Sequence, residues 1–374
     1  MALIRLSVIK DTLYAPGAKG NLVVEDYNRR RRMGKMRPLP QGDFLKQGSQ
    51  LHDYLIASIG TQAAALPVDQ PIVIMVHGFL FDPAKVATPD PKETDNPHGR
   101  LYHFQLGNED EEIRHHTSSW PLGLGFAEDD DGASGLAIAF GWNSQPGFAS
   151  SIISHFQNFY ARAYETAGSS AWVLLNLILT LREILPGRRI DLFCHSLGSR
   201  VVIRALAQLF IERPASSDCL RNILILGGAE YVVEASLMMN RLATAGASHL
   251  SFYNIVSREN DVLDTLAENF GPRTFGNSQV IGHNGLDVES PGPNWLDLQI
   301  DKASLQDWLA KQRGLSISGD QPGNVWDHWY YYTHRGNMGL YKNILRQPDN
   351  WQIAALRAAG IPDRVSKRWS LFGD

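Results

Sequence analysis

Residues 190–199, IDLFCHSLGS, contain the clearest structural pattern in the chain. Its first five residues are mostly apolar and indicate a buried strand. Residues 199–212 carry apolar side chains at the three- and four-residue spacing of an amphipathic helix. This order predicts a strand, a tight turn and a helix, with Ser196 at the apex of the turn.

A turn of this kind presents its central hydroxyl only if the flanking residues are small, because positions two before and two after the serine lie against neighbouring main chain. Cys194 and Gly198 meet that requirement. The turn also places the amide of Leu197 at the start of a helix, where it can donate to a developing oxyanion. The pattern therefore predicts that Ser196 is a nucleophile, the alternative being a serine that only caps the helix.

Further apolar runs without alternation lie on both sides of this stretch, at residues 72–76, 136–140, 223–226 and 252–256. Such runs are typical of strands that are covered on both faces of a parallel sheet. Helical spacing between them predicts helices near residues 148–165, 170–185, 199–212, 232–244 and 262–270. The alternation of strands and helices indicates an α/β fold with a doubly wound, mainly parallel sheet.

Two long segments do not fit this alternation. Residues 1–70 are predicted to form an N-terminal β extension and linker packed on the core, with a strand around Ile4 to Val8 paired to one around Leu22 to Val24. Residues 71–374 are predicted to form the main domain. They contain a polar insertion at residues 82–133, which is long for a loop and is expected to lie over a site as a lid, and an irregular region at residues 273–300.

The tight turn at residues 194–198 is called the elbow below. With this strand, elbow and helix, the chain resembles the α/β-hydrolase superfamily over roughly residues 70 to 346, in particular its lipase- and esterase-like serine hydrolases. Cys194 departs from the glycine that is usual at that position. Family members take a second oxyanion donor from the loop after an earlier strand, which here reads HGFL at residues 77–80. The resemblance implies that the amide of Phe79 is this donor.

The acid of a catalytic triad follows the nucleophile in this fold and precedes the histidine. It is expected in the loop after the strand at residues 252–256, where Asp261 is the preferred candidate and Glu259 the fallback. The alternative for Asp261 is a carboxylate that caps the next helix.

The base is expected in a late loop. His328, followed by tyrosines as in several lipase-like proteins, is preferred over His334, and His283 comes early for that loop. The alternative is that aromatic packing alone explains His328.

These residues predict a cofactor-independent serine hydrolase that cleaves carboxylic esters through an acyl-enzyme, with a small-molecule acyl ester as substrate. No metal or cofactor site is expected. A thioesterase, amidase or acyltransferase could use the same triad, and a hydrolase fold without catalysis could serve as a binding module.

The composition of the chain bears on its partners and its location. Lys and Arg number 35 against 39 Asp and Glu, so the net charge of -4 gives no field for nucleic acid, and the basic run at residues 29–37 is interpreted as a solvated loop. Two cysteines form no disulfide framework. The N-terminus lacks the apolar run of a secretory signal, and the apolar stretch at residues 171–181 is too short to span a bilayer, so a cytoplasmic location is expected.

Overall fold

A computed structural model describes twelve segments of the chain. They are residues 3–9, 12–15, 37–39, 55–59, 66–84, 95–104, 119–128, 132–145, 153–258, 279–286, 292–319 and 328–365. Within them, nine strands form one sheet. The strands are β1 (Leu3–Ile9), β2 (Thr12–Ala15), β3 (Arg37–Leu39), β4 (Ile72–Val76), β5 (Leu136–Trp142), β6 (Ile190–His195), β7 (Leu220–Leu226), β8 (Ser251–Val256) and β9 (Trp295–Gln299).

Helices connect and cover these strands. They are α1 (Pro97–Arg100), α2 (Trp120–Gly123), α3 (Ile153–Ile184), α4 (Gly198–Glu212), α5 (Val232–Ala245), α6 (Ile281–Asn284), α7 (Ala303–Arg313), α8 (Tyr330–Thr333), α9 (Arg335–Arg346) and α10 (Ile353–Ala358). Short 3-10 helices form at Pro214–Cys219 and Pro348–Trp351, and residues 55–59 are also helical. None of the helices in the described residues is both long enough and apolar enough to cross a lipid bilayer.

The strand order is β3-β2-β1-β5-β4-β6-β7-β8-β9. The seven strands from β1 to β9 in that order run parallel, and β2 and β3 are added antiparallel at one edge. Parallel strands need crossover connections. Helix α3 lies in the connection from β5 to β6, and α4 lies in the connection from β6 to β7. The carboxyl ends of β4, β6, β7 and β8 therefore meet at one edge of the sheet. The predicted α/β architecture is confirmed.

The central strands are apolar throughout because both faces of the sheet are covered. In β4, Ile72, Ile74 and Val76 belong to one buried cluster, and Val73 and Met75 belong to the cluster on the opposite face. All five side chains are fully buried, and burial of each such side chain is worth about 1.5–3 kcal/mol. This burial explains why the strand shows no alternation.

Different parts of the chain cover the two faces. Buried residues of α3, α4 and α5 belong to the first cluster. The second cluster includes Leu101, Tyr102, Trp120 and Leu124 from the 82–133 insertion, together with residues of α9. All four insertion residues are fully buried. The described parts of the insertion thus cover the sheet, and the other insertion residues lie outside the described part of the chain.

Three details of the predicted elements are wrong. One continuous helix, α3, replaces the pair predicted at residues 148–165 and 170–185. It continues through Gly168, since Ala167 and Ala171 on either side of that glycine are buried in the first cluster. The region predicted as irregular contains β9, which was missed because the buried Asp297 interrupts its apolar run.

The third difference concerns β1, which was expected to be half-buried. It lies inside the sheet, so its polar positions are covered too, with Ser7 buried and Arg5 donating to the carbonyl oxygen of Tyr102 at 3.0 Å. The predicted pairing of β1 with residues 22–24 is also wrong, because β1 pairs with Thr12–Ala15 at one edge and with β5 at the other. The strand predicted at Leu22 to Val24 and the helix predicted at residues 262–270 lie outside the described residues.

Candidate active site

Ser196 occupies a strained turn between β6 and α4. Its φ is +53°, and it is one of two non-glycine residues with positive φ in the described part of the chain, the other being Leu80. Holding a serine there costs about 1–3 kcal/mol, and such strain is concentrated at functional sites. The turn is fixed by the Ser196 amide, which donates to Leu226 O at 2.9 Å, and by the Ser196 carbonyl, which accepts from the Ser199 hydroxyl at 2.7 Å.

The elbow and the loop after β4 are packed against each other through two glycines. A Cβ on Gly198 would lie 2.5 Å from His77 O and 2.6 Å from Val76 O, and a Cβ on Gly78 would lie 2.7 Å from Ser196 Cβ. Real Cβ atoms do not approach backbone oxygens so closely. The small residue predicted after the serine is therefore required by contact with the very loop that holds Phe79.

The small residue before the serine is required less strictly. Cys194 is buried in the first cluster, and its thiol lies 3.5 Å from Leu224 O. Burial raises the pKa of Cys194 well above its usual range, which keeps the thiol protonated. Cys194 therefore packs as a small apolar residue and does not compete with Ser196 as a nucleophile.

The loop after β4 is held in place by Trp142, a contact that could not be predicted from the sequence. The Trp142 amide donates to His77 Nε2 at 2.9 Å, the Trp142 indole donates to His77 O at 2.8 Å, and the two rings stack. Because Nε2 accepts, His77 Nδ1 carries the proton and donates to Gly78 O at 2.9 Å. Burial lowers the pKa of His77 to about 3, so the ring stays neutral and keeps this arrangement.

His328 lies against the residue that precedes the nucleophile. The ring centroids of His195 and His328 are 4.5 Å apart, and His195 Nε2 donates to His328 O at 3.0 Å. The His195 ring also meets Tyr332 edge-on at 5.0 Å. The loop that was predicted to carry the base is thus attached to the elbow by a hydrogen bond, through a histidine that was not assigned a role.

Both histidine rings are neutral. Desolvation lowers the pKa of His328 to about 3. Desolvation and then the neighbouring His328 lower the pKa of His195 well below its usual value. A base must be unprotonated to accept a proton, so His328 is in the state that a base requires at neutral pH.

The other two candidate bases have different surroundings. Arg258 Nη1 donates to His283 Nδ1 at 3.0 Å, so that nitrogen has no proton to give to a triad carboxylate. His334 is the residue before α9, and its ring lies 5.5 Å from the ring of Tyr330. Among these three histidines, His328 is the one placed against the elbow residue His195.

Asp261 and Glu259, the two candidate acids, lie outside the described residues. The strand that leads to them is described: β8 ends at Val256, parallel to β7 and two strands from β6. The carboxyl end of β8 therefore lies at the same edge of the sheet as Ser196. The predicted acid loop therefore begins at the edge of the sheet that carries Ser196, as a triad requires.

A buried ion pair behind the elbow was missed by sequence reasoning. Arg200 Nη1 lies 3.1 Å from Glu230 Oε2, with the Glu230 side chain fully buried, and Tyr164 donates to Glu230 Oε1 at 2.8 Å. The Glu230 amide donates to the Ser199 hydroxyl, which in turn donates to Ser196 O. Arg200 and Glu230 are 30 residues apart in the chain, and no sequence spacing pairs them.

Comparison with known families matches the central part of the chain. The model of a family described as alpha/beta hydrolase of unknown function (DUF900) matches residues 114–265, about two fifths of the chain. The resemblance to the α/β-hydrolase superfamily is confirmed. The matched residues include β6, the elbow and β8, the strand before the predicted acid loop. No curated protein matches the chain.

Proposed function

We propose that this α/β hydrolase is a serine esterase that cleaves carboxylic esters through an acyl-enzyme. One observation carries the proposal: Ser196 is held at a positive φ on a strand-to-helix turn, with the loop of Phe79 packed against it through Gly78 and Gly198. This arrangement supports a serine that is fixed for attack beside a pre-formed oxyanion site.

The proposed reaction has two halves. His328 takes the proton of the Ser196 hydroxyl while the oxygen attacks the ester carbonyl, and the amides of Leu197 and Phe79 stabilise the resulting oxyanion. The C–O bond to the alcohol breaks, His328 gives its proton to the departing alkoxide, and an acyl-enzyme remains. His328 then deprotonates a water that attacks the acyl group, and the carboxylic acid leaves as Ser196 recovers its proton.

The acid of the proposed triad is Asp261. Desolvation makes the His328 imidazolium unfavourable in the free protein, so a carboxylate beside it is needed to stabilise the cation that forms during attack. Asp261→Asn should therefore lower kcat, by about 10⁴-fold if the residue acts as triad acids do elsewhere. Glu259→Gln is the matched variant for the second candidate acid and should change kcat little.

The proposal is tested with a fluorophosphonate probe and a panel of p-nitrophenyl esters of increasing acyl length. The wild-type protein should be labelled and should hydrolyse at least one ester, and Ser196→Ala should lose both properties with its fold intact by circular dichroism. Ser248→Ala, at an exposed serine that precedes β8, is the matched serine control and should still be labelled. Thioester and anilide substrates in the same panel decide between ester, thioester and amide cleavage.

A second pair of variants tests the base. His328→Ala should lose activity by orders of magnitude, whereas His334→Ala should retain it. Absence of labelling in the wild-type protein, with no ester, thioester or anilide hydrolysed, would refute the proposed activity and leave a hydrolase fold that only binds.

A further inference from the structure

The hydroxyl of Tyr160 is a buried donor without an acceptor among the described residues. Tyr160 lies in α3 and is only 3% exposed, and its oxygen makes no hydrogen bond there. Buried polar groups in folded proteins are nearly always paired, because an unmade hydrogen bond is costly. Tyr164, one turn further along the same helix, follows this rule by donating to Glu230.

Tyr160 lies at the edge of the sheet that carries the candidate site. Its ring meets the ring of Phe79 edge-on, with centroids 5.6 Å apart. Helix α3 follows β5, so its first turns lie near the carboxyl ends of the parallel strands. The side chain of the predicted oxyanion residue is thus in direct contact with the tyrosine whose hydroxyl has no partner.

A second set of neighbours fixes the position of Tyr160 more closely. Tyr164, one turn along α3, contacts the loop after β7: its ring lies 5.4 Å from the ring of Tyr231, and its hydroxyl donates to Glu230 at 2.8 Å. Strand β6 lies between β4 and β7 in the sheet. A side chain that contacts the loop after β4 and is close to the loop after β7 lies beside the end of β6, where Ser196 is found.

We propose that the Tyr160 hydroxyl donates a hydrogen bond to the carbonyl oxygen of the bound acyl group, as a third donor beside the amides of Leu197 and Phe79. The inference rests on the proposed esterase function and adds a catalytic residue to it. It explains the missing acceptor, because the partner arrives with the substrate. Burial raises the pKa of Tyr160 well above its usual value, so the hydroxyl stays protonated and serves as a donor at every working pH.

The hydroxyl transfers no proton in this role. Its hydrogen bond strengthens as negative charge develops on the carbonyl oxygen during attack by Ser196, so the effect belongs to the transition state and to kcat. The same reasoning applies to a phosphonate, whose oxygen mimics the oxyanion when the probe reacts with the serine.

Tyr160→Phe is the decisive variant because it removes the hydroxyl alone. On the best ester of the panel, kcat should fall about 100-fold, with KM changed less than threefold, and fluorophosphonate labelling of Ser196 should slow in parallel. The melting temperature should stay equal or rise, because the variant buries no unpaired hydroxyl. Tyr164→Phe is the matched control, and its melting temperature should fall because Glu230 loses a donor.

Two results would overturn the inference alone: an active wild-type protein whose Tyr160→Phe variant keeps its kcat and labelling rate, or a variant that raises KM with kcat unchanged. A Tyr160→Phe variant that melts lower than Tyr164→Phe would also overturn it, because the hydroxyl would then be paired in the free protein. A wild-type protein that neither hydrolyses the panel nor reacts with the probe would instead refute the proposed function, and the inference with it.

Discussion

Replacing Arg200 by Met should destabilise the protein far more than any surface substitution, because it leaves the Glu230 carboxylate buried without its cation. The two side chains are 3.1 Å apart, with the arginine 10% and the glutamate 0% exposed. Arg200 Nε also donates to Tyr164 O at 2.7 Å, and its guanidinium lies 3.3 Å from the centre of the Tyr164 ring. Methionine keeps the apolar stem of the side chain and removes these interactions.

The expected loss in the free energy of unfolding is about 3–5 kcal/mol, the usual effect of breaking a buried ion pair. This is a large part of the about 5–15 kcal/mol that stabilises a folded domain. Arg204→Met is the matched control on the same helix. Arg204 pairs with Glu234 at 3.4 Å but is 46% exposed, so its loss should be at most about 1 kcal/mol.

The pH dependence of the loss identifies the charge responsible. Burial raises the pKa of Glu230 and Arg200 opposes that rise, so the Glu230 pKa lies higher still in Arg200→Met. A carboxyl group whose pKa is higher in the folded than in the unfolded protein lowers stability at pH values above its unfolded pKa. This penalty disappears as the pH falls below the unfolded pKa. The deficit of Arg200→Met relative to wild type should therefore shrink as pH falls toward 4.5, the ordinary pKa of a glutamate.

Urea unfolding followed by tryptophan fluorescence at pH 8 and pH 5 measures both effects. Adding Glu230→Gln to Arg200→Met should recover part of the loss at pH 8, since the buried group is then uncharged. A loss no greater than that of Arg204→Met, or one that is independent of both pH and Glu230, would refute the reasoning.

Two further predictions concern the site. Gly198→Ala should lower kcat/KM at least tenfold and slow fluorophosphonate labelling, because the added Cβ would lie 2.5 Å from His77 O. Gly339→Ala is the control: its added Cβ would lie 3.9 Å from the nearest atom, so kcat/KM and the labelling rate should not change. The acid limb of the kcat/KM profile should have its midpoint below 6.5, because desolvation lowers the pKa of His328 and the base stays neutral to lower pH. Labelling of Gly198→Ala at the wild-type rate would contradict the first prediction. A midpoint above 6.5 would contradict the second.

The sequence predicted the elements whose signal is local. The strand and helix on either side of Ser196 follow from apolar spacing within about twenty residues, and their observed bounds, Ile190–His195 and Gly198–Glu212, differ from the predicted ones by one residue. Strand β9 was missed because Asp297, which accepts from Asn254 at 2.7 Å and from the Trp295 indole at 2.8 Å, places a buried carboxyl group inside the strand. A polar residue that is satisfied by distant partners cannot be distinguished by pattern from an exposed one.

The supporting contacts of the site were beyond sequence reasoning for the same reason. His77 is held by Trp142, 65 residues away, and His328 is attached to His195, 133 residues away. Each contact depends on the order of strands in the sheet, which brings β5 beside β4 and the late loop over β6. A histidine beside the nucleophile gives no local signal that it donates to the backbone of the predicted base.

The cysteine in the elbow follows from the asymmetry of the turn. Position 194 still belongs to β6, and its side chain enters the apolar cluster beneath α4, where a thiol fits as well as a methyl group. Position 198 has no such space, because the main chain of His77 and Val76 occupies the place of a Cβ. The glycine after the serine is therefore dictated by the close approach of the loop after β4, whereas the residue before it has only to be small and apolar. A small apolar residue at the first position is therefore compatible with the turn, and the departure from the family pattern at Cys194 does not argue against the proposed role of Ser196.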